Sequence, residues 1–366
     1  MSGYRGHSII RIAVLVALAL ALSGCAGGGD AAGPGAKSGG TAVPDTAKAV
    51  EKAIVAADGG ALDVDLDDTR ARVIFPQDAL GKNLTIVATP LSEAPGIDAE
   101  VLVKGFLLEE KGTGAGPKLA YPAWVSIAVP KKLGDDVALV RYREDGGYDV
   151  LPTKVAGGPD GTVLTALVTH FSPVGAAKVG KSAADKAKEE FAQFNWVIFV
   201  RGSDSLQTGP IKQTIYLTLR AVNTSGDIDG NYTGTAQVLS KNNANMGGGS
   251  LSAPFSGSSK DVRITIIIGE IAPLTRPKPD TPEGVPLAPL TPEPDWSGSG
   301  TIKLTATKVA GTGTLSAGGR SYSKGVSNTS SVPVNILMWG PQVTLEAELP
   351  VGKVSFSGYV RGEGKK

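Results

Sequence analysis

The sequence has 366 residues, with 36 Lys and Arg against 35 Asp and Glu, and its 49 glycines and 24 prolines make up a fifth of the chain. Apolar residues, at 41%, are too frequent for a chain that is disordered throughout, while so many helix-breaking residues exclude a mainly helical protein. A net charge of +1 without a basic block gives no support for nucleic-acid binding. With one cysteine and two histidines, most His- or Cys-based catalysis is excluded.

The first 25 residues have the organisation of a secretory signal. Arg5 and Arg11 accompany an apolar run over residues 12–22, which is much shorter than the roughly 20 residues that a membrane-spanning helix needs. The sequence Leu22-Ser23-Gly24-Cys25 follows this run and resembles the lipobox of bacterial lipoproteins. The resemblance implies cleavage after residue 24 and attachment of diacylglycerol and palmitate to Cys25. The alternative is a plain signal peptide that contains a cysteine.

Lipidation of Cys25 predicts a protein anchored to the cell membrane, on the cell surface or the periplasmic face. Cleavage removes two arginines and no acidic residue, so the mature chain carries a net charge of −1. Residues 25–57 are assigned to the lipidated cysteine and a Gly/Ala/Ser-rich flexible tether. Within that segment, the spacing of apolar residues over Asp45–Ala57 is compatible with a short helix.

Residues 58–178 alternate between apolar and polar side chains, as strands do. Leu62, Val64 and Leu66 point to one face while the intervening aspartates point to the other. Further strand-like runs are Ala71–Phe75, Leu84–Pro90, Val101–Leu108, Trp124–Val129, Val137–Tyr142, Tyr148–Leu151 and Thr162–His170. Turns rich in Gly, Pro and Asp separate these runs, so the spacing predicts an all-β sandwich.

The order of motifs in this segment resembles the ZU-five domain of zonula occludens proteins, netrin receptors and ankyrins. The motifs are Gly59–Leu62, Val73–Leu80, Leu84–Ile86, Tyr121–Ile127, Leu139–Tyr142 and Thr169–Ser172. The resemblance implies a β-rich interaction module without enzymatic activity, and it carries no binding residues over to this chain. It also implies that the segment before the double glycine, residues 53–57, is extended rather than helical.

A linker helix and a second β-rich segment are expected downstream. Ser182–Gln193 is the best helix candidate, with Ser182 and Asp185 placed as in a capping box, inside a linker over residues 179–195. Residues 196–366 contain seven strand-like runs: Thr214–Val222, Tyr232–Leu239, Val262–Ile268, Thr301–Val309, Val332–Trp339, Gln342–Leu349 and Lys353–Val360. The predicted fold is therefore all-β, with two β-sandwich-like domains joined by a short helix.

The second β-rich segment has two unusual features. Its residues 272–295 are rich in proline, which excludes a central strand there and predicts extended chain. A shift of 64 residues aligns 232–262 with 296–326 at nine of 31 positions without gaps. This weak similarity is compatible with two copies of one β-hairpin unit within a single domain, and Gly/Ser bias is the alternative explanation.

Two motifs match the patterns of catalytic sites. Gly175–Ser182 fits the phosphate-loop pattern, in which Lys181 would neutralise phosphate and Ser182 would hold magnesium. Ser321-Tyr322-Ser323-Lys324 fits the Ser-x-x-Lys pattern of acyl-enzymes. The first lacks a following strand that ends in Asp, and the second lies in a turn-rich region without its partner motifs. A linker and a turn are therefore the preferred interpretations.

Three further groups of residues could bind ligands. His170 is the only histidine beyond the leader and is expected to bond a neighbouring backbone group. The acidic residues Asp63, Asp65, Asp67, Asp68, Asp227 and Asp229 could supply calcium ligands, although a solvated strand face and a turn are preferred. Aromatic residues that could form a sugar-stacking platform, or else belong to the core, are Trp196, Tyr232, Trp296 and Trp339.

Together these features predict a non-enzymatic surface lipoprotein with no catalytic, cofactor-binding or metal-binding residues, in which Cys25 is the site of lipidation. Its partners would be the membrane and an envelope or extracellular protein or glycan. A carbohydrate- or cell-wall-binding lipoprotein that uses the C-terminal aromatic residues is the alternative, and an enzyme is a distant third.

Overall fold

The computed structural model describes residues 41–67, 69–158, 161–208, 211–226, 228, 230–242, 255–257, 261–273, 296–309, 313–317, 320–322, 329–349 and 352–365. Strands dominate these residues, and their one α-helix, α1, spans Lys181–Ala192. The prediction of an all-β chain with a short helix is therefore confirmed. No helix within these ranges has the length and apolar character that crossing a membrane requires. The predicted leader and Cys25 lie outside the described residues.

Residues 43–178 form a sandwich of two antiparallel sheets. The strands are β1 (Val43–Pro44), β2 (Val50–Ile54), β3 (Gly60–Leu66), β4 (Thr69–Phe75), β5 (Leu84–Glu93), β6 (Glu100–Glu110), β7 (Ala123–Val129), β8 (Val137–Tyr142), β9 (Tyr148–Val150), β10 (Thr153–Gly158), β11 (Gly161–Val168) and β12 (Val174–Lys178). One sheet has the order β1-β5-β6-β12-β8-β9, with β2 also paired to β5, and the other has the order β10-β11-β7-β4-β3. Apolar side chains from both sheets, such as Val64, Ile127, Phe106 and Leu139, share one core.

The sandwich begins earlier in the chain than the sequence suggests. Strands β1 and β2 lie in the segment assigned to the tether, and both pair with β5. The helix considered for Asp45–Ala57 is absent: the segment holds a short 3₁₀ turn at Thr46–Lys48 and then β2. Pairing with β5 satisfies the backbone of β2 and buries Ile54, which explains why the extended conformation is adopted.

The C-terminal strands close into a barrel instead of forming a second sandwich. The barrel strands are β13 (Phe194–Thr208), β14 (Ile211–Asn223), β15 (Tyr232–Asn242), β17 (Asp261–Pro273), β18 (Trp296–Val309), β21 (Thr329–Trp339), β22 (Gln342–Leu349) and β23 (Gly352–Lys365). Each pairs antiparallel with the next, and β23 returns to pair with β13. Closure of this kind leaves no sheet edge unpaired.

Among the barrel side chains that the structure describes, alternation places an apolar face of each strand in the interior. In β13, Trp196, Ile198 and Val200 are buried on the inward face and Val197 is buried as well, and in β22 the buried residues are Val343, Leu345 and Ala347. The alternation seen in Gln342–Leu349 predicts β22 with the bounds that the structure has. Sequence periodicity thus identifies the inward faces, while the pairing of β13 with β23 is visible only in the structure.

The two segments that the 64-residue shift aligns both begin at the start of a barrel strand. Strands β15 and β18 begin at Tyr232 and Trp296, which are 64 residues apart. β15 is followed by one strand of a separate three-stranded sheet and β18 by two, and in each case a barrel strand comes next. That sheet contains β16 (Phe255–Gly257), β19 (Gly313–Ala317) and β20 (Arg320–Tyr322). The predicted proline-rich segment begins at the end of β17, and its residues 274–295 lie outside the described residues.

Candidate functional site

The sandwich and the barrel meet at a buried aromatic cluster. Trp124 of β7 stacks on Trp196 of β13, with ring centroids 5.5 Å apart and an interplanar angle of 25°. Phe191 of helix α1 contacts both rings, at 6.0 Å from Trp124 and 5.0 Å from Trp196. The Trp124 indole N–H donates to the carbonyl of Val360 in β23 over 2.9 Å. The helix predicted as a linker therefore also contributes to the contact between the two β-rich parts.

A buried arginine lies beside this cluster. Arg361 is 3% exposed, and its guanidinium lies 3.6 Å from the ring centroid of Phe199 and 4.4 Å from that of Tyr121. It donates to the carbonyl of Gln77 and approaches the Asp78 carboxylate at 3.4 Å. Burial lowers the pKa of Arg361, while Tyr121 and Asp78 raise it. The side chain is thus held between one ring of the barrel and one ring of the sandwich.

The turn that follows β4 holds two barrel strands at once. Gln77 donates its side-chain N–H to the carbonyl of Arg201 at 2.6 Å and accepts the Arg201 backbone N–H at 3.1 Å. The Arg201 guanidinium contacts Asp78 at 2.6 Å. Asp78 adopts a left-handed backbone conformation with φ of 60°, which is uncommon for a residue other than glycine. Strands β13 and β23 are therefore bonded to one loop of the sandwich.

The aromatic residues proposed as a sugar platform have mixed outcomes. Trp196 is 1% exposed and Tyr232 is fully buried, with its hydroxyl donating to the carbonyl of Ile228 at 2.6 Å. Both belong to the core, as the alternative interpretation predicts. Trp296 begins β18 and Trp339 ends β21, and their side chains lie outside the described set.

The phosphate-loop pattern falls on regular structure. Residues 174–178 form β12, which pairs with β6 on one side and β8 on the other. Its backbone N–H groups are committed to the sheet, whereas a phosphate loop presents them to the ligand. Lys181 contacts the Asp135 carboxylate at 2.5 Å. Helix α1 begins after Gly180 without a side-chain cap, so the predicted capping box of Ser182 is wrong.

The Ser-x-x-Lys pattern also lacks the placement that its chemistry needs. Ser321 lies in β20, opposite Ser316 of β19, and not at the start of a helix. Lys324 lies outside the described residues. The turn preferred for this motif is wrong for Ser321 and Tyr322, because both residues lie in strand β20, which pairs with β19.

Two of the sandwich aspartates considered as calcium ligands contact arginine side chains. Asp63 lies 3.6 Å from Arg72, and Asp65 lies 2.9 Å from Arg70. No cluster of three His, Cys, Asp or Glu suited to a metal occurs among the residues that the structure describes. Asp67 has two lysine partners, considered below, while Asp68, Asp227 and Asp229 lie outside those residues.

His170 lies in a cleft of about 860 Å³ on the sandwich. Its Nδ1 atom is 3.1 Å from the hydroxyl of Thr169 and 3.5 Å from the guanidinium of Arg141. Both partners are side chains, in place of the predicted backbone group. Burial lowers the pKa of His170 below 6.5, and Arg141 lowers it further.

The rim of this cleft, hereafter the His170 cleft, carries charges of both signs. Arg141 is fixed by Asp149 at 3.0 Å, and Arg143 contacts Asp145 at 3.2 Å. Glu109 and Glu144 also line the cleft. Fixed charges of both signs around an open groove suit a polar partner that has donors and acceptors of its own.

Comparison with models of known protein families finds no match. Comparisons with curated proteins and with solved structures find none either.

Sequence reasoning missed the residues that join the two β-rich parts. Gln77 and Asp78 are predicted only as part of a turn. Arg361 lies in β23, directly after the predicted run Lys353–Val360, in which apolar and polar residues alternate. An outward-facing arginine on a barrel strand is indistinguishable in sequence from a solvated one. Only the opposing loop makes it buried.

Proposed function

We propose that this protein is a membrane-anchored surface lipoprotein that acts as a non-enzymatic interaction module, with a ZU-five-like sandwich as one half. The buried junction around Arg361 is the observation that carries the proposal. Hydrogen bonds and ring stacking fix the barrel to the sandwich, so both halves would present their surfaces to a partner in a constant arrangement. Preorganised surfaces lose less conformational freedom on binding.

The His170 cleft is the surface that we assign to the partner. Its arginines are already oriented by Asp149 and Asp145, so they would require little reordering on contact. A polar segment of an envelope or extracellular protein would satisfy both the arginines and the glutamates of the rim. Binding of a glycan by Trp296 or Trp339 is the alternative, although the burial of Trp196 and Tyr232 removes two of its four aromatic residues.

Metabolic labelling with an alkyne analogue of palmitate tests the anchor. The wild-type protein is expected to incorporate the label and to sediment with membranes, and Cys25→Ser is expected to lose both properties. Release of the wild-type chain without label would favour the plain signal peptide and contradict the proposal.

Two measurements separate the module from its alternative. A photo-cross-linking residue at Glu144, in the His170 cleft, is expected to form a covalent adduct with a protein in cells, while the same residue at Lys353 on the barrel serves as the control. Co-sedimentation with peptidoglycan that is lost in Trp296→Ala or Trp339→Ala would instead support glycan binding.

A further inference from the structure

A second cleft, of about 590 Å³, opens at one end of the sandwich. Its walls come from β3, β4 and β7 of one sheet and from β5 and β6 of the other. We call it the lysine cleft, because Lys48, Lys104 and Lys131 line it together with Asp45 and Asp67. It shares no lining residue with the His170 cleft.

Two lysines from different elements converge on one carboxylate in this cleft. Lys48, from the 3₁₀ turn, lies 3.2 Å from one oxygen of Asp67, and Lys104, from β6, lies 3.1 Å from the other. Lys48 also lies 3.6 Å from Asp45. The ammonium groups are thus held near each other by an anion that the protein itself supplies.

Among the residues that the structure describes, the lining of the lysine cleft holds three lysines and two aspartates. Lys131 makes no ion pair with any residue that the structure describes, so three ammonium groups face two carboxylates. The side chains of Lys48, Asp67 and Lys104 are about half exposed, at 55%, 55% and 47%. Exposed ion pairs contribute little to stability, so an external anion can replace Asp67 at low cost.

Apolar side chains also line the lysine cleft. Leu66, Leu91, Val103 and Val129 line it, and each is at most 9% exposed. Pro90 and Pro130 add rigid apolar surface. Clefts of several hundred Å³ with apolar walls and a few convergent polar groups are typical of small-molecule sites.

We propose that the lysine cleft binds a small amphiphilic anion, an organic phosphate or carboxylate with an apolar body. Its anionic head replaces Asp67 between Lys48 and Lys104, with Lys131 as a further cation, and its apolar body contacts the leucine and valine walls. The site is independent of the proposed partner contact at the His170 cleft.

The test uses the full-length protein in nanodiscs of neutral phosphatidylcholine, titrated with 1-naphthyl phosphate by calorimetry. Saturable binding is expected for the wild type. The double variant Lys48→Gln/Lys104→Gln is expected to bind at least about tenfold more weakly, a change that corresponds to the loss of one good charge-assisted contact. Asp67→Asn is expected to bind several-fold more tightly, because the internal competitor is removed.

Matched controls distinguish the site from general electrostatics. Lys111→Gln removes a lysine of similar exposure that pairs with Glu51 elsewhere on the sandwich. Asp65→Asn removes a nearby exposed acid that pairs with Arg70. Both are expected to leave the affinity within about twofold of wild type. Inorganic phosphate and 1-naphthol, which each lack half of the amphiphile, are expected to bind at least about tenfold more weakly.

Absence of saturable binding by the wild type, or unchanged binding by the lysine double variant, would overturn the proposal. An equal gain in affinity for Asp65→Asn and Asp67→Asn would also overturn it, and this comparison does not depend on the lysine variant. Nanodiscs that contain phosphatidylglycerol identify the source of the natural ligand. If phosphatidylglycerol lowers the apparent affinity for 1-naphthyl phosphate, the natural ligand is a lipid head group. If the affinity is unchanged, the natural ligand is a soluble molecule. Both results support the site.

Discussion

Trp124 of the sandwich and Val360 of the barrel are joined by a buried hydrogen bond, although 236 residues separate them in the chain. The donor is the indole N–H, and the acceptor is a backbone carbonyl of β23, at 2.9 Å. Because the same indole stacks on Trp196, one side chain connects the two β-rich parts through both a polar and an apolar contact. This connection predicts that the two parts unfold together.

Replacement of Trp124 measures that connection. Trp124→Phe keeps an aromatic ring but leaves the Val360 carbonyl without the indole donor, so we expect the free energy of unfolding to fall by about 2 kcal/mol. Trp124→Ala also creates a cavity and should cost about 4 kcal/mol. Urea denaturation measures both, and Val163→Ala, at a position 37% exposed on the same sheet, should change stability by less than about 0.5 kcal/mol. Two separate transitions in the wild type would contradict joint unfolding.

Arg361 is expected to stabilise the junction through its charge and its planar shape. Arg361→Ala removes a buried cation from between Phe199 and Tyr121, and we expect a loss of about 3 kcal/mol in chemical denaturation. Arg201 remains paired with Asp78, so the loss should stay below that of an isolated buried pair. Arg361→Lys keeps the charge but not the stacking plane, and should cost about half as much. Equal stability of the wild type and Arg361→Ala would show that the guanidinium makes no net contribution to the free energy of unfolding.

The glycines of the phosphate-loop pattern are expected to serve packing and turn formation. A Cβ atom on Gly175 would overlap the hydroxyl of Tyr142 and would lie 2.7 Å from the carbonyl of Val103. Gly175→Ala should therefore destabilise the protein by about 3 kcal/mol. Gly180 has open space around it but a φ of +82°, so Gly180→Ala should cost only about 1 kcal/mol. Thermal denaturation gives the order of the two variants, and the reverse order would contradict the packing role of Gly175.

The pKa of His170 is expected to lie below 6.5 in the folded protein. Burial is the main cause and Arg141 adds to it, so Arg141→Gln should raise the pKa toward the ordinary value without reaching it. The folded state then binds fewer protons than the unfolded state near pH 6, and the free energy of unfolding should decrease as the pH falls through this range. NMR titration of the imidazole measures the pKa, and His170→Gln should weaken this pH dependence. A pKa at or above 6.5 would contradict the structural cause.

Much of the local structure is predictable from alternation alone. Val137–Tyr142 and Gln342–Leu349 are strands with the predicted bounds, and the helix differs from its prediction by one residue at each end. Strand β12 is missed because its small residues Gly175, Ala176 and Ala177 suggest a loop. Pairing on both sides makes them a strand, and at Gly175 the carbonyls of Val103 and Lys104 lie too close for a larger side chain.

The sites are less predictable than the strands. The row of aspartates in β3 suggests a cation site, but Arg70 and Arg72 of the adjacent strand neutralise two of them. The lysine cleft depends on Lys48 and Lys104, which are 56 residues apart in the chain and meet only because β5 and β6 pair beside the 3₁₀ turn. Neither residue belongs to a motif that the sequence could reveal.

The sequence by itself determined the all-β class, most strand positions and the prediction that Cys25 is the anchor. The excess of Gly and Pro and the alternation of apolar and polar residues are local properties of the chain. They are therefore visible in the sequence without knowledge of which segments pack together. The closed barrel, the burial of Arg361 and the convergence of lysines on Asp67 were decided by the tertiary structure alone. Alternation specifies which face of a strand is buried, but the strand or loop that covers this face depends on contacts between residues far apart in the chain.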